Sequence, residues 1–196
     1  SDQLQISEND VEVLMSNLLK SLSFVHDHNV MHRDVKPANI LVDQELNVKL
    51  CDFGLARTME QDERQILVTK GELQTEHLPE EGKLKTRPKR RLSSHVVSRF
   101  YRPPEIVMAQ SRYDEKVDLW SAGCILQEMI LCQRNYKQYV NSDQRIMFPA
   151  SSCYPLSPKE DSTGPVEGDL LTIICRILGK LTEEQTAPFT CQKYLA

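Results

Sequence analysis

The chain's 196 residues are enough for one domain with a sizeable core, and its 40% apolar and 27% charged residues suit an ordinary globular protein. A formal net charge of -4 and a sequence pI near 5.8 give the chain as a whole no electrostatic reason to seek nucleic acid or an anionic membrane. Its apolar runs, around 122–132 and 170–178, are interrupted by Gln127, Glu128 and Arg176 and fall short of the roughly 18 residues a membrane span needs. The six cysteines, Cys51, Cys124, Cys132, Cys153, Cys175 and Cys191, form no C-x-x-C pair. That pattern disfavours a zinc site or a secreted disulfide framework and predicts reduced thiols of an intracellular protein. The opening residues do not form a basic-then-apolar leader, and Ser1 in place of Met suggests a fragment or a processed start.

In chain order, the first predicted element is an amphipathic helix over about 7–26. Ser7 and Asp10 can cap it, and Val11, Leu14, Leu18, Leu22 and Val25 share one face. Two short strands follow, 40–42 and 48–51, joined by a polar turn over 43–47. From 55 to 99 there is no aromatic residue and charges crowd together, which predicts a long loop. A second helix is expected over about 117–132, with Trp120, Cys124, Gln127 and Leu131 at helical spacing. The stretch 133–168 is rich in Ser, Pro, Asp and Gln and reads as an insertion whose "FPASSCYPLSP" part, less polar than the rest, docks on the body. A third helix, about 169–178, ends at Gly179 in a favoured C-cap position.

The chemistry is concentrated in "HRDVKPAN" and "CDFGLAR". The first sets Asp34, Lys36 and Asn39 on a loop leading into a strand, and the second sets Asp52 on a later loop. An Asn and a carboxylate are the hard oxygen donors that Mg²⁺ prefers. A Lys beside a second carboxylate suits charge stabilisation on a transferred phosphoryl group while the carboxylate positions a hydroxyl. A lone D-F-G is most often just a turn, but the combined pattern H-R-D-x-K-x-x-N followed by D-F-G is specific.

On these residues, with "RPPEI" in place of A-P-E and "DLWSAGCIL" further on, the chain resembles the C-terminal lobe of a eukaryotic protein kinase over most of its length. Lys36 is the serine/threonine-kinase choice, and small-molecule kinases of the choline or aminoglycoside type usually lack D-F-G and A-P-E. "SRFYRPPEIV" and "DLWSAGCILQEMI" resemble the MAP-kinase branch, where T-R-W-Y-R-A-P-E is usual. The resemblance implies an α+β protein-kinase-like fold: a mainly helical C-lobe, with a short β-hairpin carrying the catalytic and metal loops. The N-lobe sheet is expected to be absent, since none of the seven glycines has G-x-G-x-x-G spacing and Lys49 lies in the wrong strand for the phosphate-binding lysine. The whole chain, 1–196, is then a partial kinase domain with insertions at about 55–99 and 133–168.

The resemblance assigns Asp34 as catalytic base and Lys36 to the γ-phosphate of ATP. Asn39 and Asp52 would hold Mg²⁺, and Leu41 would form the floor under adenine. His32 would serve packing rather than catalysis, and Asp118 would hold the backbone of the catalytic loop. Glu105 would anchor the end of the activation segment, and Ser98 would link that segment to Asp34. Arg99 and Arg102 would shape a pocket favouring Pro after the phosphorylated Ser or Thr. Cys51, just before Asp52, stands where several MAP kinases carry a reactive thiol, although an inert core cysteine reads equally well.

The departures matter as well. Ser93, Ser94 and His95 stand where a MAP kinase carries T-x-Y. This leaves Ser93 or Ser94, after "KRRL", as the expected phosphorylation site for a basophilic upstream kinase, with Arg33 as the residue that pairs with the phosphate. The basic run 83–91 reads as a solvated insert or as a nuclear-import or acidic-partner patch, and without interleaved aromatic residues it does not suit nucleic acid. Expected partners are protein substrates and an upstream activating kinase, with no membrane, in the cytoplasm or nucleus. A chain lacking the N-lobe would bind ATP poorly by itself. The alternative is a short, catalytically inactive kinase-like module that binds a partner through its helical face.

Overall fold

The computed structural model describes residues 6–59, 99–108, 113–133, 142–154, 167–179 and 182. The first helix, α1, runs Glu8–Asp27. Ser7 and Asp10 close a reciprocal capping box: Asp10 N donates to Ser7 Oγ at 3.1 Å and Ser7 N to Asp10 Oδ2 at 2.9 Å. Two orphan N–H groups of the first turn are thereby satisfied. Val11, Leu18 and Leu22 are buried, while Leu14 and Val25, expected on the same face, are only half-buried. Complete burial of a leucine such as Leu22 stabilises the fold by about 1.5–3 kcal/mol.

Four short strands follow. β1 is Val30–Met31, β2 Ile40–Val42, β3 Val48–Leu50 and β4 Arg57–Thr58. β2 and β3 form the expected antiparallel hairpin, with Leu41 opposite Lys49. Its turn is closed by Asp43, whose carboxylate accepts from Glu45 N, Asn47 N and Asn47 Nδ2 at 2.8–3.0 Å. Those bonds, led by Asn47, hold the Asp43 pKa below its ordinary value. β1 pairs with β4 in a second antiparallel ladder that periodicity does not reveal, because each strand has only two residues.

Helix α2 is a single turn, Pro104–Val107. Helix α3, Lys116–Leu131, is the centre of the core. Its buried positions, Val117, Asp118, Ser121, Ala122, Cys124 and Ile125, form a broad face. Of the four residues expected to define its inner stripe, Cys124 is buried, whereas Trp120, Gln127 and Leu131 are half-buried. Packing on several sides has widened the stripe beyond what a single amphipathic face predicts. Helix α4, Leu170–Leu178, is capped by Asp169, which accepts from Leu171 N at 3.2 Å, and ends at Gly179 with φ 93°. Part of the expected insertion docks as predicted: Phe148, Ala150, Ser152 and Cys153 are buried. The long loop expected over 55–99 lies, from 60 to 98, outside the described residues. Among the described residues, no helix is long and apolar enough to cross a membrane.

Candidate active site

The catalytic loop, residues 32–39, is fixed from below by one buried carboxylate. Asp118, in the first turn of α3, accepts from His32 N at 2.8 Å, from Arg33 N at 2.7 Å and from His26 Nε2 at 2.9 Å. Arg33 has φ 66°, a left-handed conformation that an L-residue rarely adopts without compensating contacts. The two bonds from successive amides to Asp118 supply that compensation.

Immediately after this bend lies Asp34, 4% exposed. Its Oδ2 accepts from Lys36 Nζ at 2.7 Å and from Asn39 Nδ2 at 3.0 Å, and Asn39 Nδ2 also reaches the Asp34 carbonyl at 2.8 Å. Its Oδ1 is buried without a hydrogen-bond partner. A buried carboxylate oxygen left unpaired is costly and uncommon. Here it is available to accept a bond from an incoming hydroxyl. Asn39 directs its amide NH₂ to Asp34, which leaves its amide oxygen as a hard donor.

The second loop is joined to the first. Cys51 N donates to Asn39 O at 3.0 Å. His32, fully buried, places Nε2 3.0 Å from Cys51 O and its ring 4.7 Å from that of Phe53. Donation from Nε2 leaves Nδ1 to accept from Asp34 N at 3.3 Å, so one tautomer satisfies both contacts. Asp52 is left-handed, with φ 61° and ψ 68°, and its exposed carboxylate accepts from Gly54 N at 3.3 Å. A Cβ on Gly54 would come within 3.1 Å of Asp52 Oδ1, so glycine keeps that carboxylate unobstructed. The Asn39 amide oxygen and the Asp52 carboxylate are each the kind of hard oxygen donor that Mg²⁺ takes, usually sharing its coordination with substrate phosphates and water.

Leu41 lies on β2, 57% exposed. Its neighbours Ile40 and Val42 point to the opposite face of the strand and line an apolar cavity of about 230 Å³ with Leu18, Ile125 and Met129. Cys51 is half-buried and unbridged. Arg33 extends its side chain away from Asp34, with Nε donating to Leu55 O and Nη1 to Tyr113 Oη, both at 2.8 Å. Burial lowers the Arg33 pKa and raises that of Tyr113, and the Arg57 charge also disfavours the Arg33 cation. Arg99 donates through Nη1 to Ser151 O at 2.6 Å and to Ala150 O at 3.4 Å. Arg102 is buried against Cys153, whose thiol pKa is raised by burial. Glu105 is half-buried in α2, and burial raises its carboxyl pKa.

The structure joins Asp34, Lys36 and Asn39 by direct hydrogen bonds, sets Asp52 on a loop linked to theirs through Cys51, and turns the Arg33 side chain away from Asp34. Arg99 and Arg102 form a separate group against the segment 150–153. Ser93, Ser94 and Ser98 lie outside the described residues. Sequence reasoning missed His26 and Tyr113. Neither stands in a recognisable motif, and their partners are 92 and 80 residues away.

Comparison with known proteins agrees with this geometry. The family model described as "Protein kinase domain" matches residues 1–184. Mitogen-activated protein kinase 15 of Caenorhabditis elegans is 38% identical over 138 residues, covering 69% of this chain and 26% of the relative. The Xenopus laevis protein of the same name is 39% identical over 136 residues, 68% of this chain and 20% of the relative. Serine/threonine-protein kinase NLK2 of Xenopus laevis is 33% identical over 147 residues, 75% of this chain and 25% of the relative. The aligned part of the chain thus amounts to 20–26% of each relative's length. With 184 of its 196 residues matched by the family model and the H-R-D and D-F-G loops linked as described, the chain belongs to the protein kinase domain family and is MAP-kinase-like.

Proposed function

We propose that the protein containing this chain transfers the γ-phosphoryl group of ATP to Ser or Thr in protein substrates, favouring sites followed by Pro, in signalling of MAP-kinase type. The observation that carries the reading is the Asp34 carboxylate: one oxygen is held by Lys36 and Asn39, while the other is buried and unpartnered. The free oxygen orients the substrate hydroxyl and accepts its proton. Lys36, beside it, stabilises charge on the phosphoryl group in flight. Asn39 and Asp52 would hold Mg²⁺, which would supply positive charge to the phosphates, and Leu41 would lie under the adenine. Arg99 and Arg102 favour Pro in the next substrate residue.

Regulation belongs to the same proposal. An upstream kinase phosphorylates Ser93 or Ser94, and the phosphate pairs with Arg33. The glycine-rich loop, the strand lysine and its helix glutamate are supplied by sequence outside this chain, and the protein works in the cytoplasm or nucleus. The direct test is transfer of labelled phosphate from ATP to paired peptides ending Ser-Pro and Ser-Ala, using protein of full natural length with Mg²⁺ or with EDTA. The expected result is Mg²⁺-dependent labelling of the Ser-Pro peptide that Asp34→Asn abolishes. Labelling that survives Asp34→Asn would refute the assignment of the base.

A further inference from the structure

The segment 148–154 is built into the body of the protein on two sides. Toward α4, Ser151 N and Ser152 N donate to Gly168 O at 3.0 and 3.4 Å, and Leu170 N donates to Ser152 O at 3.0 Å. Asp169, fully buried, accepts from Ser152 Oγ at 3.2 Å and from Tyr154 N at 2.6 Å. On the other side stands the 3-10 turn Arg99–Tyr101, which Arg99 ties to the carbonyls of Ala150 and Ser151. That turn is itself fixed to α3: Ser121 Oγ donates to Tyr101 O at 3.0 Å and Tyr101 Oη to Glu128 Oε1 at 2.8 Å. Among the described residues no carboxylate pairs with Arg99, so two neutral carbonyls are its partners.

We infer that the segment 148–154 is a positioning element for the substrate, in which Arg99, held by the carbonyls of Ala150 and Ser151, sets the wall that meets the residue after the phosphoacceptor. The inference rests on the serine/threonine-kinase reading above. Arg99 is held by this segment and Arg102 is buried against its Cys153, so both arginines of the proposed proline pocket take their positions from it. The hydrogen bonds described for Asp34, Lys36, Asn39 and Asp52 all run within their own two loops. A shift in the segment should therefore change binding of the peptide and leave ATP binding and the chemical step alone.

Gly168 gives a way to move the segment without touching Arg99. A Cβ there would meet Ser151 Oγ at 2.4 Å, and with that hydroxyl removed the nearest atom would be Ser151 Cβ at 3.6 Å, an ordinary contact. Gly168→Ala should therefore turn the exposed Ser151 hydroxyl off Gly168 O, to which it donates at 3.2 Å, and loosen the segment there, while Ser151→Ala removes the same bond with no added Cβ. The experiment measures KM for a Ser-Pro peptide, KM for ATP and kcat in protein of full natural length, alongside hydrogen exchange of the Ser151 and Ser152 amides.

Arg99→Ala should raise the peptide KM about tenfold, and Gly168→Ala and Ser151→Ala about two- to threefold, with ATP KM and kcat within about twofold of wild type. Arg99→Ala and Gly168→Ala should both speed exchange of those amides. Arg99→Lys should recover part of the loss, because an ammonium can still reach one carbonyl. Faster exchange with an unchanged peptide KM would overturn the inference while leaving the kinase reading intact. So would a parallel rise in ATP KM. Wild-type protein that transfers no phosphate to any Ser or Thr peptide would overturn the kinase reading, and this inference with it.

Discussion

Replacing Asp118 by Asn preserves the shape of the side chain and changes what it can accept. In the native arrangement Oδ1 serves Arg33 N at 2.7 Å, while Oδ2 serves both His32 N at 2.8 Å and His26 Nε2 at 2.9 Å. Suppose Asn keeps its oxygen toward Arg33. Its NH₂ then faces the His32 amide, donor against donor, while His26 can switch tautomer and accept from it. The balance is one charge-assisted hydrogen bond lost, worth about 1.5–3 kcal/mol, and one buried N–H left unsatisfied at about 1–3 kcal/mol. A destabilisation of about 3–5 kcal/mol is expected, a large share of the roughly 5–15 kcal/mol that holds a domain folded. Urea unfolding followed by circular dichroism, at fixed pH and salt, measures it as a shift of the midpoint at unchanged slope. Hydrogen exchange of the His32 and Arg33 amides should rise by more than the global change, because the catalytic loop loses its floor first. A variant within about 1 kcal/mol of wild type, with both amides as protected as before, would refute the claim that Asp118 holds this loop.

Three further outcomes follow from the same geometry. Lys36→Ala should lower kcat by about 10²–10³ with little change in peptide KM, because the ammonium 2.7 Å from Asp34 acts on charge that develops only during transfer; an equal rise in KM would place it in ground-state binding instead. Burial raises the Glu128 carboxyl pKa above its ordinary 4.5, so its contribution to stability is complete below that value and is lost as pH rises through the raised folded value. Melting scans should therefore show wild type losing stability relative to Glu128→Gln from pH 4.5 upward, and parallel curves would refute this. The Cys124 thiol is pushed up to about 12, mainly by burial, so mass spectrometry after alkylation should find Cys51 and Cys132 modified in folded protein and Cys124 only on unfolding.

Much of the fold was legible where the signal is local. Ser7 and Asp10 predicted the start of α1 because both ends of a capping box lie within one helical turn. Asp169 and Gly179 bracketed α4 for a similar reason. The hairpin β2–β3 was visible because its turn residues hydrogen-bond their own neighbours. The ladder β1–β4 was not, since four residues joined across the catalytic and D-F-G loops leave no period to read. At the candidate site, Asp34, Lys36, Asn39 and Asp52 could be singled out because consecutive residues in fixed order carry them. Tyr113 and His26 act through contacts made only when distant segments meet, and spacing cannot anticipate such contacts. The docking of 148–154 was half legible: the lower polarity of "FPASSCYPLSP" predicted burial, but the bond from Arg99 goes to backbone carbonyls, which every residue possesses.

The position of Asp34 is determined from three directions at once, and this explains how a short loop can hold a strained bend beside an unpaired carboxylate oxygen. Left-handed backbone at Arg33 and Asp52 costs about 1–3 kcal/mol at each non-glycine residue. Each loop has bonds of its own, Asp34 with Lys36 and Asn39 and Asp52 with Gly54, and further support comes from outside. Asp118 supports the first bend from the core helix. The second is bracketed by Cys51, whose N–H binds Asn39 O and whose carbonyl binds His32, so the hairpin and the catalytic loop share its support. Arg33 then carries the bend outward to Leu55 and Tyr113, past the D-F-G turn and toward the start of α3. A movement of the segment after Leu55 can therefore pull on Arg33, and through Arg33 on the residue next to it, Asp34. Phosphate proposed to bind Arg33 would need no path to the site beyond that one peptide bond.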